Sequence, residues 1–183
     1  MSDIYFSFSG PLLTLFLDLS ERLGEVNGMH FASLPIRQEN NYRLASNKAC
    51  LDLIAVSLSL DKVEKLSNHY LIKAPKKDIR AAQQLIFNYD QLENSSYTSY
   101  RDFSSLYKNL ASAFLLEKEL NPLTDSVKAL FKPLKDPQVP ELVKAIQFHY
   151  FLLCSLTKNK AAIELALYWQ KLILISYHNV FRF

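Results

Sequence analysis

The sequence predicts an all-α single domain of about seven or eight helices, and three observations carry that expectation. Apolar residues recur at three- and four-residue spacing along nearly the whole chain, the period of a helix with one buried face. The three glycines, Gly10, Gly24 and Gly28, all lie in the first 28 residues, whereas a mostly parallel sheet would want glycines at its turns. The segment 161–177 leaves almost no polar face, so it should form a central helix surrounded by the others. With 183 residues, 49% apolar and 21% charged, the chain can bury a core without staples and is not a disordered sequence.

In chain order, Met1–Ser9 alternates weakly and suits a short extended arm. Gly10-Pro11 marks an entry, with Pro11 placed as a first helical residue. Leu12, Leu15, Phe16, Leu19, Leu23 and Val26 form a helical stripe that stops at Asn27-Gly28. After a connector with Pro35, a second helix is expected over 38–55, with Leu44, Cys50, Leu51 and Ile54 inward. Ser57-Leu58-Ser59 breaks it. Ser59 then caps a short helix in which Asp61 sits at the positive end of the dipole, with Leu60, Val63 and Leu66 on its face and its end near Leu71. Pro75 opens a fourth helix bearing Ile79, Ala82, Leu85, Ile86 and Tyr89. Asn94-Ser95-Ser96 is a turn, and Thr98 or Ser99 caps a fifth helix with Phe103, Leu106, Tyr107, Leu110 and Phe114 on one face.

Asn121-Pro122 ends or re-aims that helix, and a shorter one is expected over 124–131. Pro133, Pro137 and Pro140 stiffen a connector into the terminal pair. The first of that pair carries Leu142, Ile146, His149, Leu153 and Leu156 at helical spacing. Thr157–Lys160 is a polar break, with Thr157 or Asn159 able to cap the final helix.

The composition narrows the function classes. A net charge of +3, with both signs mixed along the chain, reads as a solvated surface and not as a nucleic-acid footprint. Leu12–Leu17 is too short to span a bilayer, and Glu164, Trp169 and Lys171 interrupt the last apolar run, so no membrane association is expected. Cys50 and Cys154 read as reduced core residues of a cytoplasmic protein. No glycine follows Gly28, so no ordinary phosphate-cradling loop or dinucleotide fingerprint exists beyond it.

His30, His69, His149 and His178 have no partner at helical ligand spacing, and no metal site is expected. His149 reads as a satisfied interior histidine. Glu164 is the carboxylate to watch, since a buried one needs a partner; facing the surface, or pairing with Lys160 one turn back, is the plainer expectation.

Taken in order, several stretches resemble a Fic (filamentation induced by cAMP) domain with an N-terminal helical extension. Leu23-Gly24-Glu25-Val26-Asn27-Gly28 is similar to the LGxLxG that ends the first helix in many such proteins. Arg43-Leu44-Ala45-Ser46 and Ser59-Leu60-Asp61-Lys62-Val63 are similar to the ASSxIEG…SLxEV stretch. Thr98, Phe103, Leu106, Tyr107 and Leu110 follow the T…I…LH…L helix, with tyrosine for the usual histidine, and Val139 to Tyr150 is similar to the lead into the family motif. The resemblance implies an extension over 1–72 and a Fic-like core over 73–183.

Active members carry HPFxxGNGRxxR at that point, its histidine a base, its glycines and asparagine a phosphate cradle, its arginines nucleotide ligands. Here the place holds Thr157, Lys158, Asn159, Lys160 and, within the helix, Glu164, with no histidine, glycine or arginine between Leu156 and Glu164. The family's inhibitory S/TxxxE pattern is matched at Ser46, but cysteine, Cys50, stands for its glutamate. No catalytic residue is carried over and no cofactor is expected. The resemblance thus implies a pseudoenzyme acting through a protein partner, and leaves room for a homodimer. Two alternatives stay open: a divergent nucleotidyl or phosphoryl transferase using Lys158 and Lys160 on phosphate with Glu164 or Asn159 on a metal, and an unrelated helical adaptor or immunity-type protein.

Overall fold

The computed structural model describes residues 10–28, 35–92, 95–114, 123–156, 159–178 and 181. Among them every regular element is a helix: α1 (Gly10–Gly28), α2 (Ile36–Leu53), α3 (Leu60–Ser67), α4 (Lys76–Asp90), α5 (Tyr100–Ala113), α6 (Asp125–Ala129), α7 (Phe131–Leu134), α8 (Glu141–Ser155) and α9 (Lys160–Tyr177). The short α6 and α7 are consecutive turns hinged at Leu130, so the stiff proline-bearing connector into the terminal pair is helical at its start, around Pro133. The chain divides into two compact units, Met1–Ile36 and Arg37–Phe183. The first is described through α1, whose helix begins beside Pro11 and closes at Gly28 as its sequence suggests, although Leu15 on its stripe is exposed. The arm at 1–9 and the breaks at Asn94 and Asn121-Pro122 lie outside the described residues.

In the second unit the helix starts follow local chemistry. The side chains of Ser59, Ser99, Thr124 and Asn159 each accept a hydrogen bond from a backbone N–H of the first turn, satisfying a donor the helix itself cannot. α4 and α8 start after Pro75 and Pro140, which have no such bond. α2 ends in a turn through Ala55, whose φ of 54° is left-handed, and α3 ends at Ser67 before a second left-handed residue, His69 at 62°. Leu71 therefore lies past the end of α3 and is fully exposed.

α9 is the centre. It buries Ala161, Ala162, Leu165, Ala166, Tyr168, Trp169, Leu172 and Ile173 together with Glu164, and packs most extensively on α8 and then on α5. The small residues 161, 162 and 166 let its neighbours approach closely. Around Trp169 the rings of Phe103, Phe131 and Phe148 gather from α5, α7 and α8. Phe103 meets Trp169 edge to face at 5.1 Å, and Phe131 meets Phe148 the same way at 5.2 Å. Edge-to-face pairs of this kind each add about 0.5–1.5 kcal/mol beyond the area they bury. The indole N–H donates to the carbonyl of Tyr97 at 2.9 Å, so the one polar atom of Trp169 is satisfied.

Three sequence expectations are corrected on α8. Cys154 is not a core residue but exposed, and Ile146 is 43% exposed. α8 is apolar on more than one side, and only the side bearing Leu142, Ala145, Phe148 and Leu152 is covered. His149, expected to be satisfied, is half-buried with Nδ1 lacking a hydrogen-bond partner.

Candidate functional site

The α8–α9 corner is the first of two places where polar chemistry gathers. α8 ends at Leu156 in an extended conformation, Thr157 and Lys158 lie outside the described residues, and α9 begins after Asn159. Asn159 Oδ1 accepts from the backbone N–H of Ala162 at 2.9 Å. The Lys160 ammonium donates to the carbonyl of Ala55 at 3.1 Å, which the left-handed turn after α2 presents to it. A hollow of about 330 Å³ opens beside them, with Lys77 and Asp78 from the start of α4 on its wall and Val56 and Ala81 in its floor. Its charged groups are two lysines and one aspartate.

The second place is the junction of α2, α4 and α9. Ser46 and Cys50, one helical turn apart on α2, are both half-buried. The Lys171 ammonium donates to Ser46 Oγ at 3.0 Å and lies 4.9 Å from the centre of the Tyr89 ring. Cys50 Sγ and the Tyr89 hydroxyl share a hydrogen bond of 3.3 Å. Glu164 lies two turns before Lys171 on the same face of α9, with no exposed surface and no hydrogen-bond partner for either oxygen. The Ser46–Lys171 and Ala55–Lys160 contacts together run α2 antiparallel to α9.

Burial dominates the electrostatics of this junction. It pushes the Glu164 carboxyl up to about 8, with Lys171 pulling the other way, so at neutral pH the group is largely a neutral acid. Burial likewise lowers the Lys171 ammonium, opposed by Cys50 and Glu164. The Cys50 thiol is raised by burial against the lowering effect of its Tyr89 hydrogen bond, and Tyr89 is raised by burial and by Glu164. A thiol held protonated is a poor nucleophile.

The site residues singled out in the sequence thus separate into two groups. Asn159 and Lys160 stay together at the corner. Ser46, Cys50 and Glu164 meet at the α2–α4–α9 junction, and Glu164 does not pair with Lys160 or reach the surface. The i,i+4 pairing fails because Lys160 turns to Ala55 while Glu164 turns inward. Sequence reasoning missed Lys171 and Tyr89 as partners. The available signal was a glutamate and a lysine seven residues apart on an otherwise apolar helix, which places both on one face. No group of three or more His, Cys, Asp or Glu side chains among the described residues is placed to hold a metal ion. Nor is any helix among them long and apolar enough to cross a membrane.

No protein-family model matches the chain, and no curated protein does. Among solved structures it is similar to that of a Fic family protein from Desulfovibrio desulfuricans G20, with a TM-score of 0.74 and 15% identity over 97% of this chain. The chain spans 61% of the length of that protein. The two share an all-helical, Fic-type fold.

Proposed function

We propose that this protein is a Fic-fold pseudoenzyme, a 1–72 helical extension and a 73–183 core, that does not transfer AMP and works in the cytoplasm by binding a protein partner. The observation that carries the reading is how the α9 N-terminus is occupied. A helix N-terminus holds phosphate with free backbone N–H groups and nearby cations. Here Asn159 caps Ala162 with its own side chain, and the Lys160 ammonium is committed to the Ala55 carbonyl. Cys50, in place of a glutamate, bonds to Tyr89 within the α2–α4 contact. Of the two metal ligands a divergent transferase would draw on, Glu164 has both oxygens buried and Asn159 has its Oδ1 on the Ala162 N–H. The partner-binding half of the proposal is supported by α8, where Ile146 and Tyr150 stand exposed one turn apart.

The reading is tested by thermal shift with ATP and magnesium. The melting temperature is expected to stay unchanged, because a ligand stabilises only a protein it binds. Replacing Lys158 and Lys160 together by alanine is expected to alter stability by less than about 1 kcal/mol. A clear rise with ATP and magnesium that this double variant abolishes, while it stays folded, would overturn the pseudoenzyme reading in favour of a nucleotide-using enzyme.

A further inference from the structure

We propose that the hollow where α2, α4 and α9 meet binds a small carboxylic acid with an apolar body, its carboxylate held by the Lys171 ammonium and the Ser46 hydroxyl. The hollow measures about 270 Å³, just below the usual range of ligand pockets and suited to a molecule no larger than benzoate. Leu167 and Leu174 give it an apolar wall, and Ser46, Cys50, Gln170 and Lys171 supply donors around the rim.

The missing element is a counter-charge. Lys171 is half-buried, yet its contacts are a hydroxyl and an aromatic face, and none of the ion pairs among the described residues includes it. A cation drawn out of water with only neutral partners gains from an anion that fits beside it. The acids around it do not serve. Glu164 is held protonated by burial, and Asp90 on α4 pairs with Arg43 of α2 at 3.5 Å. Cys50 on α2, Tyr89 on α4 and Tyr168 on α9, which interact electrostatically with Glu164, are all raised by burial and therefore neutral.

One ammonium and one hydroxyl match a single carboxylate. A phosphate, with two charges and three oxygens, calls for a guanidinium fork or a row of backbone N–H groups, which these residues do not offer. The site shares Cys50, Tyr89 and Glu164 with the pseudoenzyme reading, but its ligand-holding groups, Ser46 and Lys171, are not those that reading's test replaces: Lys171 lies eleven residues beyond Lys160, about 16 Å along the helix.

Glu164 makes the binding pH-dependent. As pH rises through about 8 its carboxyl ionises, cancels the charge of Lys171 and repels the ligand's carboxylate. The test uses the full chain and three probes, benzoate, benzamide and inorganic phosphate, followed by calorimetric titration. Benzoate is expected to bind saturably at pH 6.5, with benzamide and phosphate at least about tenfold weaker, and to weaken about tenfold by pH 9. Lys171→Gln should abolish binding, and Ser46→Ala, checked for folding by circular dichroism, should weaken it severalfold. Glu164→Gln should bind benzoate normally at pH 6.5 and lose most of the decline between pH 7 and 9. Benzamide or phosphate binding as well as benzoate would overturn the proposal. So would unchanged benzoate binding by Ser46→Ala and Lys171→Gln, or a full pH decline in Glu164→Gln.

Discussion

Replacing Trp169 by alanine is expected to cost about 3–5 kcal/mol. The indole is 1% exposed and touches aromatic rings from three other helices, so its removal leaves a cavity that α5, α7 and α8 would have to shift together to close. It also strands the Tyr97 carbonyl, which accepts the indole N–H. Chemical denaturation measures the loss directly, and a fall in melting temperature of about 10 °C or more should accompany it. Ile146→Ala, on the uncovered side of α8, serves as the contrast and should cost less than about 1 kcal/mol. Similar losses for the two variants would mean that the aromatic cluster is not the centre of the core.

Stability is expected to fall as pH rises from about 5 to 8, and Glu164 is the cause. Its carboxyl titrates near its ordinary value of 4.5 in the unfolded chain and at about 8 when folded. Between those values the native protein keeps a proton that the unfolded chain has released, so stability declines with pH. The decline from this group is absent below 4.5, complete above 8 and worth up to about 5 kcal/mol. Lys171, lowered by burial, acts in the opposite sense, because below its ordinary value the folded form has already given up a proton that the unfolded chain still holds. Glu164→Gln removes the ionisation, so its stability should be nearly flat across the window and exceed the parent's at pH 8. Urea denaturation of both proteins at pH 5, 6.5 and 8 decides the matter. Parallel pH profiles would exonerate Glu164.

Much of the helical scaffold was legible because it is written in local chemistry. Ser59, Ser99, Thr124 and Asn159 sit where a helix must find an acceptor for its first N–H groups, and Pro75 and Pro140 where one can begin. The inward faces of α4 and α5 follow from spacing, since each has one apolar side and one polar side. α8 and α9 are different. A helix apolar on several sides has no readable phase, and so the spacing points Cys154 and Ile146 inward although they face out. For Glu164 the same ambiguity mattered more, because Lys160 and Lys171 are both at helical spacing from it and only packing decides between them. The α2–α4–α9 junction was illegible for another reason: Ser46 and Lys171 are 125 residues apart, beyond any local pattern. Of the corner loop, Asn159 was named as one of two capping candidates, while Thr157 and Lys158 lie outside the described residues.

The way α2 is attached sets an order of assembly. α8 and α9 are chain neighbours with the most extensive interface in the unit, so a short loop closes at little entropic cost and the pair can form early. α2 is tied to α9 across separations of 105 and 125 residues, through two lysine side chains, and of its own helix it buries Asn47 and Leu51. Few buried apolar groups and late, distant contacts put a segment at the low end of local stability. α2 should therefore be the last helix of the second unit to dock and the first to open. In native-state hydrogen exchange its amides are expected to exchange ahead of those of α9, and equal protection of the two helices would refute this order. Each such opening would bring Glu164 and Cys50 briefly to water, making α2 the kinetic gate to the most buried chemistry in the protein.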